Sequence, residues 1–218
     1  MEDTIKNISD TAFWIAGFRA METQRPDAVF KDPFAARLGG DRGLHMAAIT
    51  PHSKAMAFAM TVRTTAIDRL ISQAIDLGCD SVINMAAGLD TRPYRMDIPS
   101  SLKWIEIDLP ALVAYKNEEL KNEMPKCRLT RIAADLSESK TRNELFQQLG
   151  SEANKAVVVT EGLIAYLKPD KLQNFRSRFL MFHHSDIGSR IIAGERCNVT
   201  ANRKTFQKWS GRLHFNLM

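Results

Sequence analysis

The sequence predicts an α/β domain built on a parallel sheet. Four short apolar runs read as buried strands: Ser81 to Met85, Leu102 to Ile107, Arg128 to Ala133 and Ala156 to Thr160. Helical patterns alternate with them, as βαβ units require. Three of the runs lead into an acidic residue, Asp108, Asp135 or Glu161, and ligands of open α/β sheets bind at the carboxyl ends of the strands.

Each helical segment carries its own punctuation. Ser9 to about Met21 is a helical lead-in, and Asp32-Pro33-Phe34 opens a second, short helix. Between Pro51 and Leu77 an apolar stripe at Ile67, Leu70, Ile71, Ala74 and Ile75 marks a helix that Gly78 is placed to end. Pro110 opens a helix carrying Leu112, Val113 and Tyr115. Ser137 can cap a helix running through Leu145 and Leu149 to Gly150. Pro169 opens another, with Leu172, Phe175 and Phe179 on one face. Beyond about Met181 the periodicity fades, apart from a strand pattern around Ile191-Ile192. Residues 1–180 are therefore expected to form one domain with a helical cap over about 1–50. Residues 181–218 are expected to be an atypical basic tail, an incomplete end of the same domain.

Composition narrows the function classes. At 218 residues, 44% hydrophobic and 25% charged, the chain has room for one buried core. No apolar run approaches the ~20 residues of a membrane helix, and the polar start Met1-Glu2-Asp3-Thr4 has no signal-peptide core. A cytoplasmic protein is expected, with no membrane partner. The pI of about 9.2 raises the question of a nucleic-acid partner. Residues 1–175 carry 22 Lys and Arg against 23 Asp and Glu, however, whereas residues 176–218 carry 8 against 2. The basicity belongs to the tail, so no nucleic acid is expected. Cys79, Cys127 and Cys197 are too far apart for a zinc site, and His183 and His184 would point to different sides of a helix. No metal is expected.

The chemistry gathers after the strands. The first runs into Asn84-Met85-Ala86-Ala87-Gly88-Leu89-Asp90-Thr91-Arg92, where small residues let a ligand approach the backbone or simply make a tight turn. Asp108 follows Gly88 by twenty residues and can accept two hydrogen bonds from a ribose diol, although it also suits the start of the next helix. Glu106 lies on the same face, but Asp108 is nearer the strand end. Asp135 can accept from an exocyclic amine while Leu136 packs on a flat base; helix capping is the other reading. Glu161, directly after buried residues, needs a cationic ligand or a nearby Arg. Phe13, Trp14, Phe18 and Arg19 either close over a ligand or pack in the core, and Arg92, Tyr94 and Arg95 either hold an anion or form a solvated loop.

Taken together these stretches resemble a known family. Arg19-Ala20-Met21-Glu22, Lys31-Asp32-Pro33-Phe34-Ala35, Arg63-Thr64-Thr65-Ala66-Ile67-Asp68 and Ala86-Ala87-Gly88-Leu89-Asp90-Thr91-Arg92 come first. Glu106-Ile107-Asp108-Leu109-Pro110, Asp135-Leu136 and Glu161-Gly162-Leu163-Ile164-Ala165-Tyr166-Leu167 follow, in family order over roughly residues 9–175. The chain resembles the leucine carboxyl methyltransferase-like family, especially its bacterial branch of polyketide-type O-methyltransferases. The resemblance implies a Rossmann-like class I methyltransferase fold and S-adenosyl-L-methionine as cofactor. It implies that Gly88 admits the cofactor, Asp108 holds its ribose, Asp135 and Leu136 its adenine, and Arg63 its carboxylate. Glu161 becomes a cofactor-side acid, and Arg19 a second basic residue from the cap. Ala86 departs from the family, where many relatives have Gly, and residues after about 180 do not follow the family pattern.

The expected activity is methylation of an oxygen, in a small-molecule hydroxyl or a carboxylate acceptor, with no catalytic residue assigned. A dinucleotide-binding, NAD-type oxidoreductase is the competing enzyme; against it the turn lacks G-x-G-x-x-G and carries Asp90. A cofactor-binding remnant without turnover is the third reading. Oligomeric state is not indicated.

Overall fold

Alternation of side chains along the strands sorts the core into two layers. The computed structural model describes residues 8–138, 154–161 and 190–193, with a few positions between 140 and 149. The chain order is α1 (Ile8–Gln24), α2 (Ala35–Ile49), α3 (Ser53–Asp76), β1 (Ser81–Met85), α4 (Arg92–Arg95), β2 (Lys103–Asp108), α5 (Pro110–Glu119), β3 (Arg128–Ala133), β4 (Ala156–Thr160) and β5 (Arg190–Ala193). Val82, Trp104, Val157 and Val159 face Ile67, Ile71 and Ala74 of α3. Ile83, Met85, Ile105, Ile107 and Val158 face the other way, onto Leu136, Leu145 and Leu149. With β1 and β4 buried at every position, the sheet is covered on both sides, as parallel sheets are.

All strand pairs are parallel, in the order β3-β2-β1-β4-β5. This is the Rossmann-like arrangement expected from the sequence, including a fifth strand over Ile191-Ile192. The order reverses direction between β1 and β4, and a crevice opens at such a point beyond the strand ends. The second strand sits one residue later than expected, so Asp108 is its last residue and pairs with Ala133.

The punctuation holds where it is described. Gly78, at φ +88, follows α3 and returns its amide to Ile75; a left-handed residue there favours glycine. Pro110 is the first residue of α5, where its missing amide removes nothing from the helix. The helix expected from Pro169 lies outside the described residues, as do His183, His184 and the tail beyond Ala193. Ahead of the sheet, α1 packs on α2 so closely that a Cβ on Gly17 would stand 2.1 Å from the Gly43 carbonyl oxygen. Between these helices and α4 and α5 lies a third apolar cluster of Ala16, Leu38, Leu89, Tyr94 and Leu112.

Candidate functional site

A cavity lies at the reversal point. It is lined by Asn84 and the loop from Ala86 to Asp90 after β1, by Asp108 and Leu109 after β2, by Glu161 after β4, by Arg63 and Thr64 of α3, and by α1 residues including Trp14 and Arg19. Two left-handed residues, Ala86 at φ +55 and Gly88 at φ +53, bend the loop back across the strand ends. Asp108 secures the bend: one oxygen accepts from the Gly88 amide at 2.6 Å, the other from the Leu109 amide at 2.7 Å. Burial pushes the Asp108 carboxyl above its ordinary value, against the pull of those two amides and of Lys116.

A charge network closes the β1–β4 side. Arg92 donates to Asp68 at 2.6 Å, to Asp90 at 2.8 Å and to Glu161 at 3.0 Å. Arg63 meets the other Glu161 oxygen at 2.8 Å, and Arg95 reaches both oxygens of Asp68. Burial opposes ionisation of Asp90, but Arg92, Lys116, Arg95 and Arg19 hold its carboxyl well below the ordinary range. Glu161 is lowered likewise: burial raises it, and Arg92 and Arg63 outweigh that. Glu161 therefore has the basic partner its position demanded. Arg92 and Arg95 are neither a solvated loop nor free to hold an anion, since both are buried and paired.

The expected residues divide into two groups. Arg19, Arg63, Gly88, Asp108 and Glu161 all line the cavity. Arg19 is also engaged beneath α1: Nε donates to Asp32 at 2.8 Å, a second nitrogen meets the Leu89 carbonyl, and Thr91 donates to the same Asp32 oxygen. Asp135 and Leu136 stand apart. Asp135 is exposed and accepts from the Ser137 amide at 2.8 Å, while the Leu136 side chain is in the core. Glu106 turns to Lys116 and Arg131, at 2.8 and 2.9 Å, which leaves Asp108 as the acid of β2 at the cavity. Of the aromatics, Trp14 lines the cavity and Phe18 is core. Asn84 and Asp68 escaped sequence reasoning, although an Asn inside the apolar run Ser81 to Met85 is a visible signal. Among the described residues no His, Cys, Asp and Glu group is placed to hold a metal, and no helix is long and apolar enough to cross a membrane.

The sequence pattern of the family described as leucine carboxyl methyltransferase matches residues 12–178. The chain belongs to that family. The leucine carboxyl methyltransferase match takes in every cavity residue except Ser9 and Thr11. A Streptomyces coelicolor relative named "Putative S-adenosyl-L-methionine-dependent methyltransferase SCO7813" is 30% identical, over 87% of this chain and 68% of its own length. A relative of like name from Mycobacteroides abscessus is 31% identical, over 90% of this chain and 66% of its own length. A Frankia alni relative is 28% identical, over 87% and 67%. The chain thus spans about two thirds of the length of these family members. A solved structure, a DUF574 family protein from Streptomyces avermitilis, is 15% identical, over 81% of this chain and 66% of that one, with a TM-score of 0.49.

Proposed function

We propose that this chain binds S-adenosyl-L-methionine in the cavity and directs methyl transfer to an oxygen, in a small-molecule hydroxyl or a carboxylate. One observation carries the reading: a glycine-bearing bend and the acids ending β2 and β4 meet at a single cavity where the strand order reverses. The family of the chain and the names of its relatives agree with it. When bound, the cofactor supplies an electrophilic methyl on a sulfonium.

The residues present fit such a ligand. Neighbouring strands lie ~4.8 Å apart, so β1, β2 and β3 together span about 10 Å, the reach of a nucleoside. Laid across them, its sugar meets Asp108 and its base extends beyond the cavity toward the end of β3, where Asp135 is exposed while the Leu136 side chain packs in the core. Each carboxylate oxygen of Asp108 has a second lone pair beyond its amide bond, leaving the diol two acceptors. Arg63 offers a cation to the carboxylate end, balanced by Glu161. Arg19 serves by tying α1 to the Leu89 carbonyl, which holds the cap over the bend. The chain's contribution to the reaction is positioning: it aligns an acceptor oxygen with the methyl and excludes water, effects worth several kcal/mol, on the order of 7–11 when alignment is ideal. A carboxylate acceptor needs no base, whereas a hydroxyl must lose a proton.

Titration calorimetry tests the binding. The chain is expected to bind S-adenosyl-L-methionine and S-adenosylhomocysteine saturably and NAD not at all. Asp108→Ala is expected to weaken both by about tenfold or more, since hydrogen bonds to charged groups are worth roughly 1.5–3 kcal/mol. Equal affinity in the variant would remove Asp108 from the site, and tight NAD binding would return the chain to the oxidoreductase class. Methyl transfer to a panel of acceptors separates the two oxygen types, because carboxyl methyl esters release methanol in mild base and ethers do not.

A further inference from the structure

Asp32 belongs to the stretch Lys31-Asp32-Pro33-Phe34-Ala35 and does not itself line the cavity. Its carboxylate, 1% exposed, is a hub between two walls that do. From the cap, Arg19 Nε donates to Oδ2 at 2.8 Å and the Phe34 amide to Oδ1 at 3.2 Å. From the loop after β1, the Thr91 hydroxyl donates to the same Oδ2 at 2.7 Å. A second Arg19 nitrogen meets the Leu89 carbonyl. Two polar bonds therefore cross from the cap to the loop, one made by Asp32 and one by the arginine that Asp32 orients. Arg19 is 7% exposed and Thr91 0%, so little water competes for either.

We infer that Asp32 is a positioning residue: it seats α1 against the bend and so sets how fast a bound ligand leaves, an assignment that rests on the cofactor reading above. A buried ion pair is a poor source of net stability, since desolvation offsets most of its attraction. Its best-attested use is to specify one arrangement over others. Here the arrangement is the seat of α1. Ala12 and Arg19 lie about two turns apart on one face of the helix, and both line the cavity. A Cβ on Gly88 would stand 3.4 Å from that of Ala12, while Arg19 holds Leu89. A ligand under this wall leaves past it, and the seat of such a wall governs release. Only a carboxylate accepts from all three donors. An asparagine has one acceptor oxygen, and either way round its amide would face the donor of Arg19 or of Phe34.

The test follows labelled S-adenosylhomocysteine as it is released into excess unlabelled ligand, with urea unfolding measured alongside. Thr91→Val removes the hydroxyl but keeps the branched shape, and Thr91→Ser restores it. Release is expected to be about tenfold faster or more in Thr91→Val and in Asp32→Asn, as the loss of a bond to a charged group implies. Thr91→Ser is expected to release close to the unaltered rate. A Thr91→Val chain that is less stable to urea yet releases at the unaltered rate overturns the inference, because the hydroxyl then serves folding alone. Release from Thr91→Ser as fast as from Thr91→Val overturns it too. An unaltered chain with no saturable binding of S-adenosylhomocysteine overturns the cofactor reading itself, and this inference with it. Should Asp32→Asn not fold, the two Thr91 variants decide, since they leave Arg19 and Asp32 in place.

Discussion

At Ala86 the backbone adopts a conformation that its own side chain resists. The residue sits at φ +55, where an L side chain costs roughly 1–2 kcal/mol. A glycine there escapes that cost but gives up about 0.5–1 kcal/mol of chain entropy on folding. The difference predicts that Ala86→Gly gains up to about 1 kcal/mol, read as a higher urea midpoint at unchanged slope. A lower midpoint would mean that the methyl's packing against the cluster of Ile83 and Met85 outweighs the strain. The departure of Ala86 from the family pattern was readable in the sequence, but its left-handed backbone was not, because the turn that imposes it depends on Asp108 holding Gly88 from another strand. Likewise Glu106 and Asp108 share a face by simple alternation. Only the placement of Lys116 and Arg131 around Glu106 shows which of the two turns inward.

Between elements, the tightest contact is the crossing of α1 and α2. Gly17 and Gly43 let two backbones meet: a Cβ on Gly17 would stand 2.1 Å from the Gly43 carbonyl oxygen, and one on Gly43 would stand 2.4 Å from that of Phe13. Main-chain atoms cannot turn aside as a flexible side chain can, so the helices must separate. Gly17→Ala is expected to destabilise by about 1–3 kcal/mol, net of its better helix propensity. Because α1 also lines the cavity, ligand affinity should fall with it. Unchanged stability and affinity would show that the crossing is looser than its geometry. Strands such as Ser81–Met85 were legible because burial on both faces imprints a continuous apolar run. This crossing was not, since the two glycines are far apart in sequence and nothing local marks them as partners. The four-residue α4 was missed for the same reason: its buried Arg92 is explained by carboxylates on α3, in the β1 loop and after β4.

Across the whole molecule, the charge network joins α3, the β1 loop, α4 and the end of β4 through Asp68, Asp90, Arg92 and Glu161. The sequence showed these acids and arginines as separate motif fragments and showed that Glu161 needed a cation. It did not show that Arg63 and Arg92 supply one, since that pairing spans 69 to 98 residues. The network sets the sign of the pH response. Asp90 and Glu161 titrate lower in the folded chain than ordinary carboxylates. Their contribution to stability is therefore full above the unfolded values of about 4 and is lost as pH falls through the folded ones. Asp108 is shifted upward, so its contribution runs the other way and blunts the acid loss. Arg92→Met removes the largest opposing charge from both acids, leaving Arg63 on Glu161 and Lys116, Arg95 and Arg19 around Asp90, so burial drives the Asp90 and Glu161 values up. The variant should be about 3–5 kcal/mol less stable at pH 7, as for a buried pair that loses one partner. It should also regain stability as pH is lowered toward 5, where its orphaned acids take up protons, whereas the unaltered chain stays level over that range and weakens only in stronger acid. Urea unfolding at each pH measures both curves. Two parallel curves would mean that Arg92 holds the elements by packing alone and that the carboxylates around it have found other partners.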